Sequence, residues 1–237
     1  MMPDAAFAAA LLPLALLSGV MGLDVVSFPQ AMLSRPIVAS SIAGAFFGAP
    51  VAGLVCGAVL ECFALESLPV GASRYPEWGS ASVVAGAIAA QGATATAFPQ
   101  PSTFVLAVAV GIITAWVGGW TMVRHRHLIS SFAHPRLDQL AAGNRRTVVG
   151  LQVFGMTVDL ARGALLGVIA FVPAYFVNPW ANAHWSVSDG PTRAVVVTCG
   201  AAVAATAVWK DFHAISGTRR LFLLSLTVGT ALVVLGV

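Results

Sequence analysis

Asp24, Glu61, Glu66 and Glu77 stand in or beside apolar segments of a 237-residue chain of which only 9% is charged. Three of these acids, with Arg74, fall within LECFALESLPVGASRYPE at residues 60–77. An ionised group inside a membrane segment costs at least ~2.5 kcal/mol on insertion scales, which makes it a functional candidate by default. Glu61, enclosed by GAVL and CFAL, is the hardest of them to assign to a solvated boundary. Glu61 and Glu66 are five residues apart, which places them about 140° apart on a helix. They therefore cannot form a two-carboxylate site on one helix face. None of the five histidines lies near these acids in sequence, so the pattern does not predict a metal site. A polar sugar suits it better, because carboxylates and amides can take several hydroxyls at once. Each acid also has a plainer reading. Glu66 and Glu77 equally suit a solvated membrane boundary, and Asp24 suits a cap for the helix that follows.

Other chemistries find little support. His125, His127 and His134 lie in an arginine-rich stretch near anionic headgroups and need no special role. The chain has no glycine-rich phosphate loop, no Ser-His-Asp arrangement and no nucleotide fingerprint. No catalytic residue and no cofactor is expected. Cys56, Cys62 and Cys199 show no pairing or ligand spacing and read as small buried packing residues.

The elements that must hold the acids are membrane helices. The chain is 58% hydrophobic, with a mean hydropathy of +0.88. Runs free of Asp, Glu, Lys and Arg at 36–60, 78–123 and 163–188 exceed the about 20 residues a spanning helix needs, and those at 194–209 and 221–237 come close to it. The N-terminal run AAFAAALLPLALLSGVMG lacks a basic start and reads as a first membrane helix rather than a cleaved signal. Residues 124–146 hold five arginines and one aspartate, and this stretch is expected to be a cytoplasmic loop, like 210–220. The basic pI thus reflects topology and predicts no nucleic-acid partner. Spans are expected from about 147 to 177 and over 194–209 and 221–237, with NPWANAHWSVSDG as an outer loop. The run 78–123 splits at FPQPS into two. Residues 24–77 carry Pro29, Pro36, Pro50, Pro69, Gly71 and Pro76, so a long uninterrupted helix does not fit. Such interrupted segments point to a transport site. Runs such as GAFFGAPVAGLVCGA and AGAIAAQGATA predict close helix packing.

The stretch LSRPIVASSIAGAFFGAPVAGLVCGAVLECFALESLPVGASRYPE resembles the N-terminal signature of the enzyme IIC subunits of the mannose, fructose and sorbose family of bacterial sugar phosphotransferase systems. In that family an Asp after the first helix leads to an Arg-Pro, a glycine-rich run, a Leu-Glu, a Gly-Ala and a Pro-Asp. Asp24, Arg35-Pro36, the run through Gly57, Leu60-Glu61, Gly71-Ala72 and Pro76-Glu77 stand in these places. The match is strongest over residues 20–98, and LQVFGMTVDLARGALLGVIAFVPA places Arg162 where the family carries an arginine before its final helices. Glu77 stands where the family commonly has Asp, and Glu66 where glycine is common. The resemblance implies a single membrane-embedded IIC domain over 1–237, an all-α polytopic membrane protein with several transmembrane helices plus re-entrant, Pro/Gly-broken hairpins. It implies a permease subunit without catalytic residues of its own, part of an oligomer in the bacterial cytoplasmic membrane. Such a subunit pairs with a IID membrane subunit and with IIA and IIB phosphocarrier proteins, and carries a hexose inward for phosphorylation. It implies sugar contacts at Glu61, then Asp24, Gln30 and Glu77. Two alternatives remain open: a stand-alone secondary transporter whose acids are proton or cation sites, and a non-transporting regulatory subunit.

Overall fold

The computed structural model describes residues 5–66, 74–93, 98–212 and 217–235. The Pro69 and Gly71 break lies outside the described residues. Among the described residues nine α-helices follow in order: α1 (Ala5–Asp24), α2 (Pro36–Phe46), α3 (Pro50–Ala64), α4 (Trp78–Gln91), α5 (Pro101–Ala133), α6 (Leu137–Ala141), α7 (Arg145–His184), α8 (Asp189–Phe212) and α9 (Thr218–Leu235). Among the described residues four helical stretches are long and apolar enough to cross a membrane, within α1, α5 with the turn and α6 behind it, α7 and α8. Large apolar side chains such as Leu12, Ile113, Leu165 and Ile169 point outward. Water would penalise that surface, while lipid or an apolar partner covers it. The chain is a polytopic, all-α membrane protein.

Two prolines of the interrupted region, Pro36 and Pro50, start helices rather than kink them, as Pro101 does further on. Pro36, Pro50 and Pro101 each occupy the first turn of α2, α3 and α5, where a missing N–H costs nothing and the fixed φ suits the helix. At 11 and 15 residues, α2 and α3 measure about 16 and 22 Å, short of a 30 Å hydrocarbon core. They fold back on each other through Phe47–Gly48–Ala49. Gly48 adopts a φ of +82°, and the Ala49 amide donates to the Gly44 carbonyl at 2.7 Å. This is the left-handed helix stop that glycine permits.

Helix α4 is the hub of the molecule, touching α1, α2, α3, α5 and α7. Every residue from Trp78 to Ala89 is buried. Its sequence, WGSASVVAGAIAAQ, is small and apolar all round, as a helix enclosed on every side must be. Small residues let the backbones close up: Gly79 lies against the Met21 carbonyl of α1 and Gly86 against the Ser40 carbonyl of α2.

Three expectations change in detail. The basic stretch 124–146 is mostly helical, because α5 runs on to Ala133 and a short turn and α6 lead to α7. Helix α5, at 33 residues, is about 50 Å long, so its basic end projects beyond the apolar span. Helix α7 likewise continues through Asn178–His184, which the sequence assigned to an outer loop. Of the cysteines only Cys56 is buried; Cys62 is half-buried and Cys199 exposed.

Glu66 finds its place here. It lies in the turn after α3 and pairs with Lys210 at the end of α8 at 2.7 Å, both side chains at least half exposed. Exposed pairs contribute at most about 1 kcal/mol. Glu66→Ala is accordingly expected to shift thermal unfolding of the purified protein only marginally, and a shift matching a core substitution would overturn that assignment.

Candidate functional site

The connection from α1 to α2 is held by Asp24. Its carboxylate accepts the Ala31 amide at 2.7 Å and the Ser34 amide at 2.8 Å, and the residue is 2% exposed. The buried acid thus organises residues 25–35 rather than capping α2. Within that loop Gln30 and Met32 take φ values of +57° and +61°, a region side chains rarely enter. Gln30 is exposed, and its amide donates to the Val26 carbonyl at 2.7 Å.

Glu61 comes from the last turns of α3 and reaches back to the start of α2. Arg35 Nε donates to its Oε1 at 2.7 Å, and Arg35 Nη2 bonds the same oxygen. The Ile37 amide donates to Oε2 at 3.1 Å. A carboxylate is well placed there, facing the positive end of α2. The pair is partly accessible, with side-chain exposures of 27% for Arg35 and 21% for Glu61.

Glu77 is fully buried and caps α4, its Oε1 accepting the Ser80 amide at 2.9 Å. Its own amide donates to the Ala115 carbonyl of α5 at 2.8 Å. This fixes the start of α4 beside the middle of α5.

One cavity of about 50 Å³ joins these parts. Val25, Ser34, Arg35 and Pro36 line one side, and Tyr75, Pro76 and Trp78 the other. Asp24 holds Ser34, Glu61 holds Arg35, and Glu77 sits between Pro76 and Trp78. Each of these three acids is therefore one bond or one residue from the cavity wall. Gln30 is on the exposed side of its loop and is not among the lining residues.

Arg126, Tyr75, Asp159 and Ser27 were not singled out from the sequence, whereas Arg162 was, by the family resemblance. Arg126, in the basic stretch, donates to the Tyr75 hydroxyl at 2.8 Å and lies over its ring at 5.2 Å. Asp159 and Arg162 of α7 form a buried ion pair at 2.8 Å. The Ser27 hydroxyl donates to Asp159 at 2.6 Å, and Arg162 Nη1 donates to Thr121 of α5 at 3.2 Å. The i,i+3 spacing of Asp159 and Arg162 in an apolar segment was a visible signal. The link from Asp159 to Ser27, 132 residues away in sequence, was not. Among the described residues no group of His, Cys, Asp and Glu could hold a metal ion.

Comparison with known proteins supplies a frame for this geometry. A family model described as the sorbose-specific IIC component of the phosphotransferase system matches residues 7–206. A curated sorbose-specific EIIC component of the same kind of system from Lacticaseibacillus casei is 24% identical over 145 residues, 61% of this chain. The chain spans about half the length of that relative, 48% of it. Among solved structures, one described only as a membrane protein aligns with a TM-score of 0.67 at 19% identity, covering 96% of this chain and 90% of its own. A cryo-EM structure of the mannose transporter ManYZ with microcin E492 aligns with a TM-score of 0.60 at 17% identity, covering 97% and 88%. These two share the fold. The family model extends over 200 of the 237 residues, and the chain belongs to the sorbose-specific IIC components of the phosphotransferase system.

Proposed function

We propose that the chain is the translocating subunit of a sugar phosphotransferase system in a bacterial cytoplasmic membrane. It binds a hexose at the cavity between the 25–36 loop and residues 75–78, which at about 50 Å³ must widen to admit a sugar ring, and releases it inward to a phosphohistidine protein of the IIB type, which is charged by IIA. A IID subunit completes the membrane complex. The observation that carries this reading is one cavity whose lining includes Arg35, Ser34 and Trp78, with Arg35 held by Glu61 and Ser34 by Asp24 behind the wall and Glu77 next to Trp78 in the chain. A guanidinium and a serine hydroxyl on the wall can bond sugar hydroxyls directly, the acids behind them hold those groups in place, and an indole ring packs against the apolar face of a sugar ring.

The place of the cavity along the molecule agrees. Tyr75 to Glu77 lie level with Ala115 to Arg126 of α5, near its arginine-rich end, which the positive-inside rule orients toward the cytoplasm. The two left-handed residues in the adjoining loop suit a segment that rearranges, since strained backbone gathers at binding sites.

The reading is tested by uptake of radiolabelled hexoses into membrane vesicles containing the complete complex. Accumulation of sugar phosphate is expected only when IIA, IIB and a phosphoryl donor are present. Accumulation of free sugar without any phosphohistidine protein, following an ion gradient, would establish a stand-alone secondary transporter instead. Failure of the purified complex to bind any hexose would favour a regulatory subunit.

A further inference from the structure

Two oppositely charged groups in the junction of α1, α4, α5 and α7 each keep one atom without a hydrogen-bond partner. Glu77 offers Oε1 to Ser80, while its Oε2 is buried and unmatched. Arg162 uses Nε and Nη1, while its Nη2 is buried and unmatched. The Glu77 residue is 0% exposed and the Arg162 side chain 9%. An unmatched buried polar atom is costly, and more so when it belongs to a charged group.

Two glycine positions bracket the pair. A Cβ at Gly22 would stand 2.7 Å from Ser80 Oγ and 3.7 Å from Arg162 Nη2, and the Ser80 amide is the group that Glu77 Oε1 binds. On α5, a Cβ at Gly118 would stand 3.1 Å from Glu77 Oε2. Thr121, which receives Arg162 Nη1, is three residues further on, on the same helix face. Glu77 and Arg162 thus share Ser80 on one side and a single turn of α5 on the other.

The same arginine also reaches the cavity loop. Asp159, its direct partner, is fully buried and accepts the Ser27 hydroxyl. Asp159 pairs directly with the Arg162 guanidinium, and the buried Glu77 stands in the same junction, across Ser80 and Gly118. Arg126 turns to Tyr75 instead, and His125 Nδ1 has no partner. If the Asp159–Arg162 pair only stapled α7, neutralising both members together would leave the junction intact, as buried pairs often permit.

We propose that Arg162 is a positioning residue for the candidate site: it places positive charge in the junction that seats the buried Glu77 cap of α4, and through Asp159 and Ser27 it fixes the 25–35 loop. The consequence for transport rests on the translocation reading above; the electrostatic coupling does not.

The experiment uses the complete transporter and reads two quantities. In thermal unfolding of the purified complex, Arg162→Gln and Glu77→Gln are combined in a double-mutant cycle, with Arg162→Gln and Glu61→Gln as the control. Non-additivity of about 2 °C or more is expected for the first cycle and additivity for the second. In uptake, Arg162→Gln is expected to lower the maximal rate about tenfold or more, with Arg162→Lys retaining more activity than Gln. The double variant Asp159→Asn/Arg162→Gln is expected to assemble and to remain as slow as Arg162→Gln. Additivity between Arg162 and Glu77, or wild-type uptake by that neutral double variant, overturns the proposal. Should Arg162→Gln not accumulate, the cycle is run with Arg162→Lys, and additivity there has the same force. A wild-type complex that moves no hexose but shows the non-additivity removes the translocation reading and leaves the pairing of Arg162 with Glu77.

Discussion

Glu61→Gln is expected to lower hexose uptake by about 10- to 100-fold while the chain still inserts and assembles. The magnitude follows from the hydrogen bonds to a charged group that the substitution weakens, about 1.5–3 kcal/mol, at tenfold per 1.4 kcal/mol. The amide keeps the shape of the side chain, and its oxygen can still accept from Arg35 or from Ile37. It cannot balance the guanidinium that lines the cavity. Because the pair is partly accessible, water can solvate the freed charge, so assembly should survive where a fully buried pair would not. Uptake in vesicles, normalised to the amount of complex in the membrane, is the measurement. Glu66→Gln serves as the control, since Glu66 faces Lys210 at the surface, and its uptake should match wild type. Normal uptake by Glu61→Gln would remove Glu61 from the site.

This prediction also marks where sequence reasoning stops. Composition and charge-free runs suffice for the class, because the bilayer permits few solutions and long apolar segments advertise one of them. The interrupted character of residues 24–77 was equally plain from its prolines. What the prolines do was not, since Pro36 and Pro50 are the same residues whether they break one helix or begin two. Glu61 could be recognised as an acid in an apolar segment, but its partner Arg35 is 26 residues away. That pairing exists only once α2 and α3 have folded against each other. Glu77 was open to a solvated-boundary reading, and glutamate is not a favoured cap residue, so its role as the cap of α4 appears only in the fold. Its complete burial depends on α5 and α7, which are far off in sequence. Glu66 resisted placement for the same reason: Lys210 is 144 residues distant.

Gly86→Val is expected to have a large effect on stability, with a loss of more than about 3 kcal/mol and no monodisperse complex in detergent. A Cβ at Gly86 would stand 2.4 Å from the Ser40 carbonyl oxygen, and one at Gly53 would stand 2.3 Å from the same oxygen. Backbone cannot yield as the end of a flexible side chain can, so α2, α3 and α4 would have to separate. Ser40 strengthens the junction by donating its hydroxyl to the Gly53 carbonyl at 2.8 Å, and that bond would be lost with the contact. Gly150→Ala is the matched control, because nothing lies within 4 Å of its Cβ position. There the helix should be unchanged or gain up to about 1 kcal/mol. Size-exclusion profiles and thermal unfolding of both variants check the pair, and a wild-type profile for Gly86→Val would show that the three helices do not meet at Ser40. The site depends on this contact even though no atom of Gly86 reaches the cavity. Seating α4 against α2 sets where Trp78 and the Glu77 cap stand relative to Arg35. Loss of the glycine should therefore abolish hexose binding together with assembly, whereas Glu61→Gln separates the two.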